Sequence, residues 1–147
     1  MKDLLHATEV VTMMRALYSE DQAASPVDQS RFPANIDALI SAPLLGRIIL
    51  FREDGLLVGY ALLIPYWSNE FGGTLLFVDE LFVIPGARNR GIGHSFFRFL
   101  GENRPFDAVA MAVESSPNNV AARRLYDSLG FEHRANLVQT RRFSSVP

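Results

Sequence analysis

The chain has 147 residues, 48% of them hydrophobic and 20% charged, with a formal net charge of -2. That is the balance of one soluble domain with a real core and no general electrostatic pull toward nucleic acid or an anionic membrane. It contains no cysteine, which excludes a disulfide framework, a thiol nucleophile and thiolate metal sites. The opening MKDLLHATEV lacks the apolar core of a secretory signal, and no apolar run approaches the ~18 residues of a membrane span. The expectation is a single cytoplasmic domain over residues 1–147.

Ala7, Val10, Val11, Met14, Leu17 and Tyr18 recur at i, i+3, i+4, i+7 spacing and predict an amphipathic first helix. The polar stretch SEDQAASPVDQSRFP breaks that pattern and reads as a loop. Ile36, Leu39 and Ile40 suggest a second, short helix ended by Pro43. Three strands are then expected: residues 47–51, residues 56–64 after an Asp54-Gly55 hairpin turn and ended by Pro65, and residues 74–84, apolar enough to be buried on both faces. A helix follows with Ile92, Phe96, Phe99 and Leu100 on one face, ended at Arg104-Pro105. Residues 107–113 read as a strand. Ser116-Pro117 reads as a helix start, Ala122, Leu125 and Leu129 as that helix's buried stripe, and Gly130 as its stop. Two short strands are expected from Phe131 onward, the last near LVQTRRF. This order predicts a mixed α/β (α+β) domain, a sheet flanked by helices.

The stretch GARNRGIG, residues 86–93, joins the end of the buried strand to the start of a helix. Free N–H groups and a positive dipole end collect there. Gly91 and Gly93 permit close approach, and Arg88 and Arg90 add charge, so the stretch suits a phosphate or pyrophosphate. An ordinary strand-to-helix turn with exposed arginines has the same local pattern. The Gly-Lys-Ser/Thr ending of a Walker loop is absent, and the three glycines of a dinucleotide fingerprint are not in place.

Arg88-x-x-Gly91-x-Gly93 resembles the Arg/Gln-x-x-Gly-x-Gly/Ala signature of the GNAT (Gcn5-related) N-acetyltransferase superfamily. NVAARRLYDSLGF, residues 119–131, is similar to that family's Asn-x-x-Ala-x-x-Leu-Tyr-x-x-x-Gly-Phe helix. The blocks stand in the expected order, and the resemblance runs from residue 4 to about 143. It implies a mainly antiparallel central sheet flanked by helices. The chain departs from the family pattern by starting almost in the first helix, so the first strand is expected to be reduced or missing. It departs again at Asn89, where many members have glycine; asparagine tolerates unusual backbone angles.

The resemblance implies acetyl-CoA as co-substrate and no metal. The pyrophosphate would be held by the N–H groups of Arg88, Asn89, Arg90, Gly91, Ile92, Gly93 and His94. The pantetheine arm would pair like an added strand with Leu81, Phe82 and Val83. Asn119 matches a position that contacts the cofactor arm, although the same asparagine could simply serve its own helix start. Tyr126 matches the family's general-acid tyrosine, although it could equally be a core aromatic. An alkyl ammonium has a pKa of about 10.4, so the site must help remove its proton. Asp79 and Glu80 are adjacent on the third strand, where simple alternation puts Asp79 with Phe77, Leu81 and Val83, and Glu80 with Val78 and Phe82. Either could handle that proton; either could be structural. With no cysteine, the amine would attack the thioester directly.

Residues 64–83 resemble, without gaps, the diamine and polyamine branch of the family. This implies a small-molecule amine acceptor near Tyr66, Trp67 and Glu70, the aromatics packing the aliphatic amine and the carboxylate holding a second charge. An amino acid, an antibiotic amine, a protein N-terminus, or acyl-CoA binding without transfer stay open. His6, His94 and His133 lack metal-ligand spacing. Arg123-Arg124 and Arg141-Arg142 read as solvated faces, one pair a candidate for the 3′-phosphate of coenzyme A. No nucleic-acid or membrane partner is expected. A homodimer through the final strands is possible by analogy with the family.

Overall fold

The computed structural model describes residues 2–21, 27–135 and 139–141. Among the described residues, four helices, α1 (Lys2–Glu20), α2 (Phe32–Ser41), α3 (Ile92–Asn103) and α4 (Val120–Ser128), surround one sheet. Its strands, β1 (Arg47–Glu53), β2 (Leu56–Ser68), β3 (Gly73–Val83) and β4 (Ala110–Val113), lie in the order β1-β2-β3-β4. The first three are antiparallel neighbours, and β4 runs parallel to β3. A parallel pair needs a crossover, and α3 supplies it. No strand precedes α1 among the described residues.

Each sheet face carries its own apolar cluster. On one, Val10, Val11, Met13 and Met14 of α1 and Phe32 and Ile36 of α2 cover Tyr60 and Phe82. On the other, Phe96, Phe97 and Leu100 of α3 and Tyr126 of α4 cover Ala61, Leu63, Leu76 and Val78. β3, central and covered on both sides, is buried along most of its length.

Several boundaries differ from the sequence reading, each for a local reason. The segment expected as a loop up to Pro33 already contains the start of α2, because Phe32 is buried in the α1 cluster and Pro33 suits a first helical turn. β2 does not stop at Pro65: it continues to Ser68, with Pro65 opposite Leu76. β1 begins opposite Leu63, so beyond it β2 has one neighbour and a missing N–H is tolerated, as on an edge strand. In α3 the inner face is Phe96, Phe97 and Leu100, while Phe99 is exposed. The strand expected over residues 107–113 is only Ala110–Val113, since Phe106 and Asp107 adopt positive φ in a 3-10 turn. α4 starts at Val120 and not at Ser116-Pro117, because Asn119 takes the capping position. Gly130 ends it as expected, with φ +79 and with Gly130 N–H donating to Asp127 O and Phe131 N–H to Tyr126 O. Residues 131–135 form no strand; the strand expected near LVQTRRF, and the dimer surface expected with it, lie largely outside the described residues.

Candidate active site

The site begins with a break in the sheet. β3 and β4 pair only from Leu75↔Ala110 to Val78↔Val113. Just beyond, the β2–β3 register shifts: Leu63 faces Val78 but Leu62 faces Glu80, so Asp79 is an extra residue, a β-bulge. The bulge corrects the simple alternation. Val78 packs into the α3–α4 cluster, whereas Glu80 and Phe82 belong to the α1 side; Glu80 and Val78 therefore do not share a face. Among the described residues, no strand lies beside β3 on the β4 side from Asp79 to Val83.

Backbone direction follows from the ladder. Ile84 N–H donates to Val58 O, so even-numbered residues 80, 82 and 84 direct their backbone groups to β2. Leu81 and Val83 direct theirs into the opening. Of the three strand residues expected to meet a pantetheine arm, Leu81 and Val83 thus offer backbone partners, and Phe82 contributes a buried side chain to the opposite face. Val83 O accepts from Arg88 Nε at 2.8 Å.

The loop after β3 has the conformation that its residues suggest. Asn89 (φ +62) and Gly91 (φ +80) are left-handed, Gly91 capping α3. Ser95 N–H is the first to close a helical bond, to Gly91 O. The N–H groups of residues 89–94 have no backbone acceptor among the described residues, whereas Arg88 N–H donates to Pro85 O. The donor row is therefore 89–94, at the positive end of α3 and fitted to a pyrophosphate. Gly93 serves packing: a Cβ there would come within 2.8 Å of Leu125 Cδ2, so its absence lets α4 lie against α3.

The arginines brace this loop. Arg88 Nη2 donates to Glu20 Oε2 at 2.7 Å, and Arg90 bridges Glu53 Oε2 and Gly86 O, each at 2.7 Å. Their charge is partnered, which leaves anion binding mainly to the backbone. His94 Nε2 lies 3.0 Å from Ser128 Oγ, whose hydroxyl proton goes to Leu125 O at 2.7 Å. His94 is therefore the donor, and its side chain pins α3 to α4.

The two carboxylates of β3 have different surroundings. Glu80, 8% exposed, accepts from Tyr18 Oη at 2.8 Å and Tyr60 Oη at 2.7 Å, one phenol on each carboxylate oxygen. Burial raises its pKa against the lowering effect of the two phenols, and both phenols are themselves pushed well above the ordinary value by burial and by Glu80. Asp79 is reached by solvent, yet enough protein surrounds it to raise its carboxyl above the ordinary range; Glu114, just past the end of β4, adds to this.

Tyr126 packs edge-on to Phe97 and Phe131, with ring centroids 5.9 and 5.7 Å away. It shares its cluster with Val78, and Leu81 and Val113 pack against that cluster, which is the point where the strands part. Burial, then the charge of Asp21, pushes its phenol up to about 12. Asn119 caps α4, Oδ1 accepting from Ala122 N–H at 3.0 Å, and donates from Nδ2 to Asp21 Oδ2 at 2.9 Å.

Tyr66, Trp67 and Glu70 sit at the β2–β3 hairpin end. Trp67 faces Thr74, Tyr66 faces Leu75 and Gly73 starts β3, so the group lies about 13–20 Å along the strand from Asp79. It does not converge with Asp79. Both oxygens of Glu70 accept from Arg134, at 2.7 and 3.0 Å, which holds its carboxyl below the usual range. Among the described residues no group of three or more metal-binding side chains occurs, and no helix is long and apolar enough to cross a membrane. Arg123 donates to Pro117 O at 3.3 Å.

Sequence reasoning did not find Tyr18, Tyr60, Asp21 or Glu114. Tyr18 was visible only as part of an apolar stripe, and Asp21 meets Asn119 across 98 positions, a contact with no local signal.

With a parted strand pair, a bulged carboxylate, a row of open amides and a buried tyrosine in place, the comparison with known proteins is decisive. The acetyltransferase (GNAT) domain profile matches residues 45–133, more than half the chain. The chain belongs to the GNAT acetyltransferase family. It is 27% identical to the uncharacterized N-acetyltransferase YhfO of Bacillus subtilis over 95 residues, 62% of each chain. It is 24% identical to an aminoglycoside N(6′)-acetyltransferase type 1 of Salmonella typhimurium over 111 residues, 71% of this chain and 74% of that one. Its fold matches the crystal structure of a predicted acetyltransferase with acetyl-CoA from Clostridium acetobutylicum with a TM-score of 0.74, at 12% identity, covering 92% of this chain and 90% of the other.

Proposed function

We propose that this GNAT protein transfers the acetyl group of acetyl-CoA to a primary amine of a small cationic molecule, by direct attack in a ternary complex. The observation that carries the reading is the parting of β3 and β4 at Asp79, which leaves the backbone of Leu81 and the N–H of Val83 open beside the free amides of residues 89–94. These residues fit coenzyme A: the amides would hold the pyrophosphate and the strand edge the pantetheine arm. Bound there, the cofactor supplies an activated thioester.

In the proposed reaction the amine nitrogen forms a bond to the acetyl carbon, the carbon–sulfur bond breaks, and sulfur leaves with the electron pair. Tyr126 donates a hydrogen bond, or its proton, to that sulfur. Asp79 is the better candidate for the amine proton, directly or through water. It is exposed at the bulge where β3 and β4 part, and a raised pKa makes it a stronger base. Glu80 has both oxygens committed to phenols and holds β3 to α1 and β2. Holding the amine against the thioester supplies much of the acceleration.

The acceptor class is read from Asp79 and Glu114 flanking the opening and from the aminoglycoside relatives. Together they favour an amine with more than one positive charge. The diamine reading keeps Tyr66 and Trp67 as exposed aromatics, but Glu70 would first have to leave Arg134. The test is thiol release from acetyl-CoA across aminoglycosides, diamines, polyamines, amino acids and short peptides. The protein has no thiol to react with the dye. Release with a polycationic class is expected. Release only with neutral-chain amino acids or peptides would overturn the acceptor class, and none at all, with acetyl-CoA still bound, would favour a binding module.

A further inference from the structure

The end of α1 touches both walls of the opening at once. Glu20 Oε2 accepts from Arg88 Nη2 at 2.7 Å on the loop side, and its neighbour Asp21 accepts from Asn119 Nδ2 at 2.9 Å on the α4 side. The partners lie 68 and 98 positions away, so neither contact is a by-product of local chain geometry. Asn119 is held at both ends of its side chain, since its Oδ1 caps α4 through Ala122 N–H. One amide hydrogen of Asn119 remains for another partner. Tyr126 stands two turns further along the same short helix, about 10 Å away, and Asp21 is the charge that acts on its phenol.

We propose that Asp21 is a positioning residue for the transfer: by holding the Asn119 side chain it sets the first turn of α4 against α1, and so the place of the Tyr126 hydroxyl at the opening. The inference rests on the acetyltransferase reading. A part-buried hydrogen bond to a carboxylate is charge-assisted and directional, and α4 is a rigid link between the cap and the tyrosine. Asp21 thus acts through Asn119 and touches no reacting atom.

Asp21→Ala, Asp21→Asn, Asn119→Ala and the double variant Asp21→Ala/Asn119→Ala test it. The two single alanine variants should each lower kcat about tenfold, and Asp21→Ala should leave the Kd for coenzyme A, measured by calorimetry, within about twofold. The double variant should be no slower than either, because one contact is being removed twice. Asp21→Asn keeps an oxygen that can accept from Asn119 and should recover most of kcat. In the cofactor-free protein, the amide resonances from Ala122 to Tyr126 should move alike in Asp21→Ala and Asn119→Ala. Additive losses in the double variant, or a wild-type kcat in Asp21→Ala, overturn the assignment. If the wild type acetylates no amine while those resonances still move together, the acetyltransferase reading fails and the Asp21–Asn119 link stands.

Discussion

Replacing Tyr126 with phenylalanine isolates one atom of the proposed chemistry. The ring is what packs: it meets Phe97 and Phe131 edge-on and is 9% exposed. Phenylalanine keeps those contacts, so the melting temperature should change little. The hydroxyl is what the reaction would lose. A phenol at about 12 facing a thiol of about 8.5 leaves an uphill gap of about 3.5 pH units, or about 5 kcal/mol, for complete proton transfer before the carbon–sulfur bond weakens. In the proposed chemistry Tyr126 would therefore be a hydrogen-bond donor that gives up its proton late, as negative charge builds on sulfur. Removing such a donor costs on the order of 100-fold in kcat. The Kd for acetyl-CoA should stay nearly constant, because the hydroxyl is used in the transition state more than in the bound ground state. Steady-state thiol release at neutral pH, with calorimetry for the Kd, checks both. Wild-type kcat in Tyr126→Phe refutes the assignment; a loss confined to cofactor affinity refutes the reasoning about when the hydroxyl acts.

Asp79 gives a pH prediction. Burial and Glu114 raise its carboxyl, and a base works only when deprotonated, so activity should fall as pH drops through that raised value. The acid limb of kcat/KM then lies above the usual carboxylate range, and Asp79→Asn should remove it along with most of the rate; an unchanged limb in the variant would exclude Asp79 as the base. Gly59→Ala tests the strand edge itself. A Cβ there would lie 2.3 Å from Phe82 O and 2.8 Å from Phe51 Cδ2, so β2 and β3 must move apart. The expected cost is about 3 kcal/mol, a Tm fall of roughly 10 °C, with weakened acetyl-CoA binding because Val83 lies opposite. A wild-type Tm would mean the strands yield more easily than their packing suggests.

Periodic and capping signals carried most of the fold from the sequence. The α1 stripe, the Asp54-Gly55 turn, the doubly buried β3 and the Gly130 stop are all local patterns, and all are present. The Asp79 bulge was not legible, since nothing in TLLFVDELFVI separates a bulged strand from a regular one; it appears only through the register with β2. That hidden residue changes which side chains share a face with Glu80. Asn89 shows the reverse: its departure from glycine is accommodated by a left-handed φ of +62. The partnering of Arg88 with Glu20, Arg90 with Glu53 and Glu70 with Arg134 was also invisible. Charges on separate elements give no sign in sequence of whether they face a ligand or each other.

Amide hydrogen exchange with and without acetyl-CoA tests the central claim most directly, that the cofactor lies where β3 and β4 part. The account predicts slowed exchange at Leu81, Val83 and residues 89–94, with little change at the hairpin end around Glu70. Binding that leaves those amides unchanged and protects another surface would contradict it.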